Sequence, residues 1–303
     1  PPLCGAGETE GPRSPYRYRS PLMSSSAEST HAVETVIEPP RGWTPLSVRE
    51  LWEYRELIYF LTKRELQVRY KQSFFGVSWV VLQPLIFAFV FALFFGRILK
   101  VSSDGFPYPV FAIVGLVPWL FTAQAISNGA TSLVQDSNLI QKVYFPRLAL
   151  PISKALSLMV DIGIAVVVVV AVTLVYGVSI ASTAWLFPAF LLLGILTAFG
   201  IGTLLSAINV RYRDVEVVVP MFVQIMFFLS PVLYPGTLVS GTWSYIYALN
   251  PMASVLNGSR WALLDAPYPG TAEILISIAS AAVLVTVALV YFRRTEHYFA
   301  DIV

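Results

Sequence analysis

The sequence predicts an all-α integral membrane protein. Six transmembrane helices follow an amphipathic interface helix, and short re-entrant helices lie between the fifth and sixth spans. Three observations predict this class. The 303 residues are 56% hydrophobic and only 13% charged, with a mean hydropathy of +0.68; soluble domains average roughly 45–50% apolar and about 25% charged residues. The charge is segregated, with 19 of the 38 Asp, Glu, Lys and Arg residues in positions 1–71. No charge at all occurs in 72–96, 105–135, 162–210, 217–259 or 274–292, and a spanning helix needs about 20 mainly apolar residues. An ordinary soluble enzyme is excluded.

The chain opens with a polar stretch lacking any apolar run, so no secretory signal is expected there. Met23 followed by three serines reads like a natural start. Residues 1–22 are therefore expected to be an upstream leader, and 23–45, with Pro39-Pro40, Gly42 and Pro45, a disordered arm. Residues 46–73 form the amphipathic element. Arg49, Glu53, Glu56, Lys63, Gln67 and Lys71 fall on one helical stripe, and Leu51, Tyr54, Ile58 and Leu61 on another. Interfacial aromatics such as Trp52 and Tyr59 fit a helix lying on the cytoplasmic membrane surface; a helix packed on a soluble partner is the alternative.

The spans expected within residues 74–303 are 75–95, 110–126, 152–176, 185–208, 217–233 (a short one) and 274–292. With the N-terminus cytoplasmic, thirteen Lys and Arg lie in inner segments and three (Arg97, Lys100, Arg260) in outer ones. Positive charge concentrates on the cytoplasmic side of membrane proteins, so both termini are expected inside. Between residues 234 and 270, five Trp and Tyr residues are punctuated by Pro and Gly, which fits two short helices dipping into the outer leaflet.

The missing chemistry is equally informative. There is no Gly-Lys pair, hence no phosphate-binding loop of the Walker type. Cys4, His31 and His297 are too few and too scattered for a zinc site, so no metal is expected. The net charge of +2 does not point to nucleic acid. Asp161 is the one ionisable residue deep in a span; it serves either a helix-packing hydrogen bond or an ion relay. No catalytic residues are assigned. The informative polar residues sit in two inner loops, 135–147 and 209–216. The first mixes charge with Leu139, Ile140, Tyr144 and Phe145, all expected to be exposed, as in helices that dock on a partner.

These pieces, in order, resemble the membrane (permease) subunit of type 2 ABC exporters, in the polysaccharide, O-antigen and teichoic-acid export branch. The resemblance covers residues 47–303. It is carried by Leu61–Trp79 with Gln83-Pro84, by Asn138–Arg147, by Arg211–Asp214, by Ser230–Pro235 and by Leu249–Pro251. It implies a homodimer working with two separate ABC ATPase subunits, which would hold the ATP and Mg. The chain would be a multi-pass protein of the bacterial cytoplasmic membrane, in contact with membrane lipid and a lipid-linked glycan. It further implies an ATPase-coupling loop (Asn138, Gln141, Lys142, Tyr144, Phe145, Pro146, Arg147), a second cytoplasmic turn (Arg211, Arg213, Asp214) and an entrance collar (Trp52, Tyr59, Lys63, Arg64, Arg69).

Sugars stack their C–H faces on aromatic rings. Phe87, Phe91, Phe94, Phe222, Phe228 and Tyr234 are therefore the residues expected along a glycan path; lipid-facing or helix-packing roles are the alternative for each. The Ala/Val-rich spans are compatible with an actinobacterial source and a cell-wall galactan. Two other functions stay open: an exporter of a drug or small lipid, and a membrane-embedded glycosyl or acyl transferase drawing on Asp136, Asp161, Asp214 or Glu216.

Overall fold

The computed structural model describes residues 48–71, 76–143, 145–296 and 299. The expected leader, the arm, Tyr144 and most of the C-terminal tail lie outside the described residues. Among the described residues every element is helical.

The amphipathic stretch forms two helices rather than one, α1 (Val48–Glu53) and α2 (Arg55–Lys71). The first span comprises α3 (Ser78–Phe91) and a wider π-helical run, Ala92–Ile98. Then follow α4 (Tyr108–Gln135), α5 (Ser137–Lys142), α6 (Ala149–Val175), α7 (Phe187–Arg211), α8 (Val215–Leu229), α9 (Thr242–Tyr247), α10 (Pro251–Leu264) and α11 (Thr271–Thr295). Five of these helical stretches are long and apolar enough to cross a membrane: 78–98, 108–135, 149–175, 184–211 and 271–295.

Two boundaries differ from the sequence expectation. The sequence places the second span over 110–126, but α4 runs on to Gln135. Its inner half is polar yet self-satisfied. Ser127 Oγ donates to the Ala123 carbonyl at 3.0 Å, Thr131 Oγ1 to the Ser127 carbonyl at 3.2 Å, and Gln124 pairs with Asn128 at 2.7 Å. The fifth expected span, 217–233, ends as a helix at Leu229. Pro231 lacks an N–H to continue it, and residues 230–235 form an elbow. Fifteen residues rise about 22 Å, less than the hydrocarbon thickness of about 30 Å.

Helix α4 is the central post. It packs most extensively on α7, and also on α6, α3, α10 and α8. The α4–α7 crossing is close because Gly129 faces Gly202: a Cβ on Gly129 would stand 3.0 Å from the Gly202 Cα. Small residues of this kind let membrane helices approach where lipid supplies no hydrophobic drive. Asn209 fastens the same pair by donating Nδ2 to the Ala130 carbonyl at 3.1 Å. The main core runs along α4, α6, α7 and α10. By contrast, α3, α8 and α11 keep broad apolar faces exposed, including Phe89, Val217 and Val283. Two short helices, α9 and α10, lie between α8 and α11. Of these, α10 lies almost wholly inside the bundle.

Candidate functional site: inner collar and loop, aromatic seam and outer elbow

At the end of the bundle where α2 packs, ion pairs bind α2 to α6 and to the residue before α5. Arg69 pairs with Asp161, and Tyr70 donates its hydroxyl to the same carboxylate. A further bond runs from Arg69 to Ser157 Oγ at 3.3 Å. Burial first, and then the bond to Asp161, push the Tyr70 hydroxyl well above its ordinary range, so it stays a donor. One turn earlier, Lys154, itself buried, meets Glu65 at 2.8 Å, while Arg64 pairs with Asp136. Asp136 stands directly before α5. Asp161 thus has a packing role with two named partners.

The five expected collar residues divide. Trp52, Tyr59 and Lys63 face outward; Arg64 and Arg69 turn inward as cations of the ion pairs. The apolar stripe of Leu51, Tyr54, Ile58 and Leu61 lies against the chain's own inner core. An open apolar groove of about 520 Å³ runs beside it, between Leu51 and Ile58 on one wall and Ile152 and Leu156 on the other, with Trp52 and Tyr59 at its rim.

The inner loop also divides. Asn138, Gln141, Lys142 and Val143 are exposed on α5 and just after it. Ile140 and Phe145, expected to be exposed, are buried in the core with Leu61, Leu133 and Phe292. This is a correction with a simple cause. Ile140 lies on the one apolar flank of six-residue α5, Phe145 follows three residues after the helix, and both pack into the same cluster of the bundle. Pro146 is buried too, and Arg147 is turned to the C-terminal end of the chain. It donates to the Glu296 backbone carbonyl and lies 5.9 Å from the Phe299 ring. Phe145→Ala is expected to cost about 3–5 kcal/mol of stability, seen as a lowered melting temperature in detergent rather than a selective loss of partner binding. Arg211, Arg213 and Asp214 are exposed in the turn between α7 and α8, with Arg211 over the Tyr212 ring.

Of the expected path aromatics, several come together. Phe87 and Phe91 stack at 5.9 Å, and Phe91 reaches across to Phe227 of α8 at 6.0 Å. Phe227 then contacts Trp119 of α4 at 5.7 Å and Phe228 at 5.4 Å. Phe87 and Phe228 remain exposed along this seam, and Phe94 is exposed but has no ring contact with it among the described residues. Phe222 is half-buried and joins no ring cluster among the described residues. Tyr234 continues the seam outward, donating to the Phe228 carbonyl at 3.1 Å and meeting the Tyr247 hydroxyl at 2.9 Å.

Sequence reasoning missed a buried and heavily bonded residue of α10. Arg260 reads from the sequence as an outer flank charge, yet it is only 2% exposed. Its guanidinium donates to the carbonyls of Pro231 and Val232, each at 2.6 Å, and more loosely to those of Phe111 and Tyr234, each at 3.4 Å. It also lies 3.7 Å from the Phe111 ring centroid, within cation–π range. Gly115 makes room for it: a Cβ there would collide with the guanidinium. Arg260 thereby ties the 230–235 elbow to α4 and α10. The available signal was a lone Arg in an otherwise uncharged helix. Among the described residues no group of three or more His, Cys, Asp or Glu could hold a metal ion.

Comparison with known proteins fits this arrangement. Residues 56–264 match the family described as ABC-2 type transporter. The chain is 30% identical over 256 residues to an O-antigen export system permease protein RfbA from Myxococcus xanthus, covering 84% of this chain and 98% of that protein. It is 29% identical over 249 residues to an O-antigen export system permease protein RfbA from Klebsiella pneumoniae, covering 82% and 95%. It is also 24% identical over 233 residues to a polysialic acid transport protein KpsM from Escherichia coli, covering 75% and 86%.

Proposed function

This chain belongs to the ABC-2 type transporter family, as a multi-pass permease of the polysaccharide and O-antigen export branch, and we propose that it moves a lipid-linked glycan outward across the bacterial inner membrane. Two copies form the path. Two separate ABC ATPase subunits supply the energy, and they hold the ATP and Mg. The glycan is a cell-wall galactan or an O-antigen-like polymer. In this reading α8 is the fifth of six spans, completed by the 230–235 elbow; α9 and α10 re-enter from the outside, and both termini are cytoplasmic.

The observation that carries the reading is the aromatic seam. Phe87, Phe91, Phe227, Phe228 and Tyr234 run along α3 and α8, and both helices keep exposed apolar faces beside it. A second copy against those faces would enclose the seam. A polymer needs repeated weak contacts to slide, and ring faces offer them to sugar C–H groups. The groove beside Trp52 and Tyr59 supports access for the lipid carrier at the inner surface. The exposed face of α5, with Asn138, Gln141 and Lys142, supports docking on the ATPase. Movement of α5 then reaches α2 through Asp136–Arg64, and through Asp136–Lys154–Glu65 by way of α6.

The test is reconstitution with the ATPase subunit. The chain alone hydrolyses no ATP, and the complex does. Asn138→Ala with Lys142→Glu changes two exposed side chains, so stability moves within about ±0.5 kcal/mol while partner binding and ATPase coupling fall. Intact coupling in that variant sinks the docking role. Product formation by the chain without its ATPase would favour a transferase instead.

A further inference from the structure

At the outer end of α10 the chain forms a pocket of about 290 Å³ that the export reading does not use. Its floor is Arg260, its walls include Tyr247 and Tyr268, and Asn257, Asp104 and Glu273 supply polar groups. We propose that this pocket is a saccharide subsite that holds one or two neutral sugar units of the glycan as it leaves. The proposal rests on the export reading for the ligand's origin, and on the pocket alone for its chemistry.

The chemistry excludes other small ligands in turn. An anion is disfavoured: four of the five Arg260 N–H donors go to backbone carbonyls, and two carboxylates face the same space. A metal ion is disfavoured because each carboxylate already accepts a hydroxyl. Glu273 accepts from Ser244 at 3.0 Å and Asp104 from Thr237 at 3.2 Å, and these residues form no metal-binding group. A lipid chain is disfavoured by the polar walls. The volume lies just below the roughly 300–1,000 Å³ range of small-molecule sites, which suits a mono- or disaccharide.

What remains matches a sugar. The second oxygens of the two carboxylates accept from ring hydroxyls. The Asn257 amide, which has no hydrogen-bond partner among the described residues, both donates and accepts. Gly236 makes room for that amide, since a Cβ there would run into it. Tyr268 offers an exposed ring held edge-on by Trp261 at 4.9 Å. Tyr247 links the pocket to Tyr234 and so to the end of the aromatic seam. A polymer leaving that seam meets this pocket next.

The experiment is equilibrium binding to the full chain with its ATPase in lipid nanodiscs, followed by tryptophan emission. The probes are D-galactose, D-mannose and their disaccharides, with sodium sulfate and calcium chloride as controls. Saturable binding of a sugar at roughly millimolar concentration, weakened about tenfold or more by Asn257→Leu and by Tyr268→Ala and insensitive to both salts, supports the subsite. Both variants alter side chains at the pocket surface, and a retained melting temperature separates lost binding from lost folding. Non-saturable sugar response, or equal binding by wild type and both variants, overturns it, as does saturable sulfate or calcium binding lost in the variants. Because the readout is binding, a failure of glycan export to stop on depletion of the protein would sink the export reading and leave this result standing.

Discussion

Arg260→Leu is expected to destabilise the chain more than the loss of any other single side chain in the outer half of the bundle. The two 2.6 Å bonds to the Pro231 and Val232 carbonyls are charge-assisted, and such bonds contribute about 1.5–3 kcal/mol each. Leucine removes the buried charge and its desolvation cost, but it leaves those carbonyls without donors inside the bundle. The net loss is about 3–6 kcal/mol, enough to remove most folded protein from the membrane fraction. Arg260→Lys keeps the charge but cannot reach several carbonyls with a planar fork, so it recovers only part of the loss. Gly115→Ala is expected to fail in the same way, by pushing the guanidinium off its carbonyls. Melting temperatures of the three variants in detergent check this. A wild-type value for Arg260→Leu would mean that the elbow is held by something else.

The second large effect is asymmetric. The Asp161 side chain is 4% exposed and that of its partner Arg69 is 28% exposed. Arg69→Ala strands a buried carboxylate with only Tyr70 and is expected to cost about 3–5 kcal/mol. Asp161→Asn leaves Arg69 free to turn to water, and is expected to cost about 1–2 kcal/mol. Combining Arg69→Ala with Asp161→Ala is then expected to be milder than Arg69→Ala alone, a non-additivity that only direct contact produces. An ion relay predicts something else: loss of transport in Asp161→Asn at unchanged stability. Thermal stability and transport, measured on the wild type and these three variants, separate the two roles.

Much of the fold was legible because charge avoids hydrocarbon. The expected spans 152–176, 185–208 and 274–292 locate three of the long helices to within a few residues. Where the expectation erred, a local compensation was at work that composition does not reveal. The inner half of α4 reads as polar, but its Ser and Thr hydroxyls return to the preceding turn. The fifth span reads as apolar through Leu233, but Pro231 stops the helix. Sites were less legible because their partners are distant in sequence. The contacts of Asp161 lie 91 and 92 residues upstream, and those of Arg260 come from α4 and the elbow. Phe145 reads as exposed because an aromatic residue in a polar loop has the same pattern whether it faces solvent or its own bundle. The aromatic set was partly legible: phenylalanines placed at helical spacing on α3 and α8 do meet, though through Phe227 rather than Phe222.

The central claim, outward movement of a lipid-linked glycan, is tested most directly by depleting the protein in its own cell and analysing the lipid-linked glycans on the inner face of the membrane. The account predicts that one such glycan builds up there, and that it is cleared by restoring the wild-type chain but not the Asn138→Ala, Lys142→Glu variant. Depletion with no lipid-linked glycan retained inside, while a drug or a small lipid accumulates instead, would contradict it.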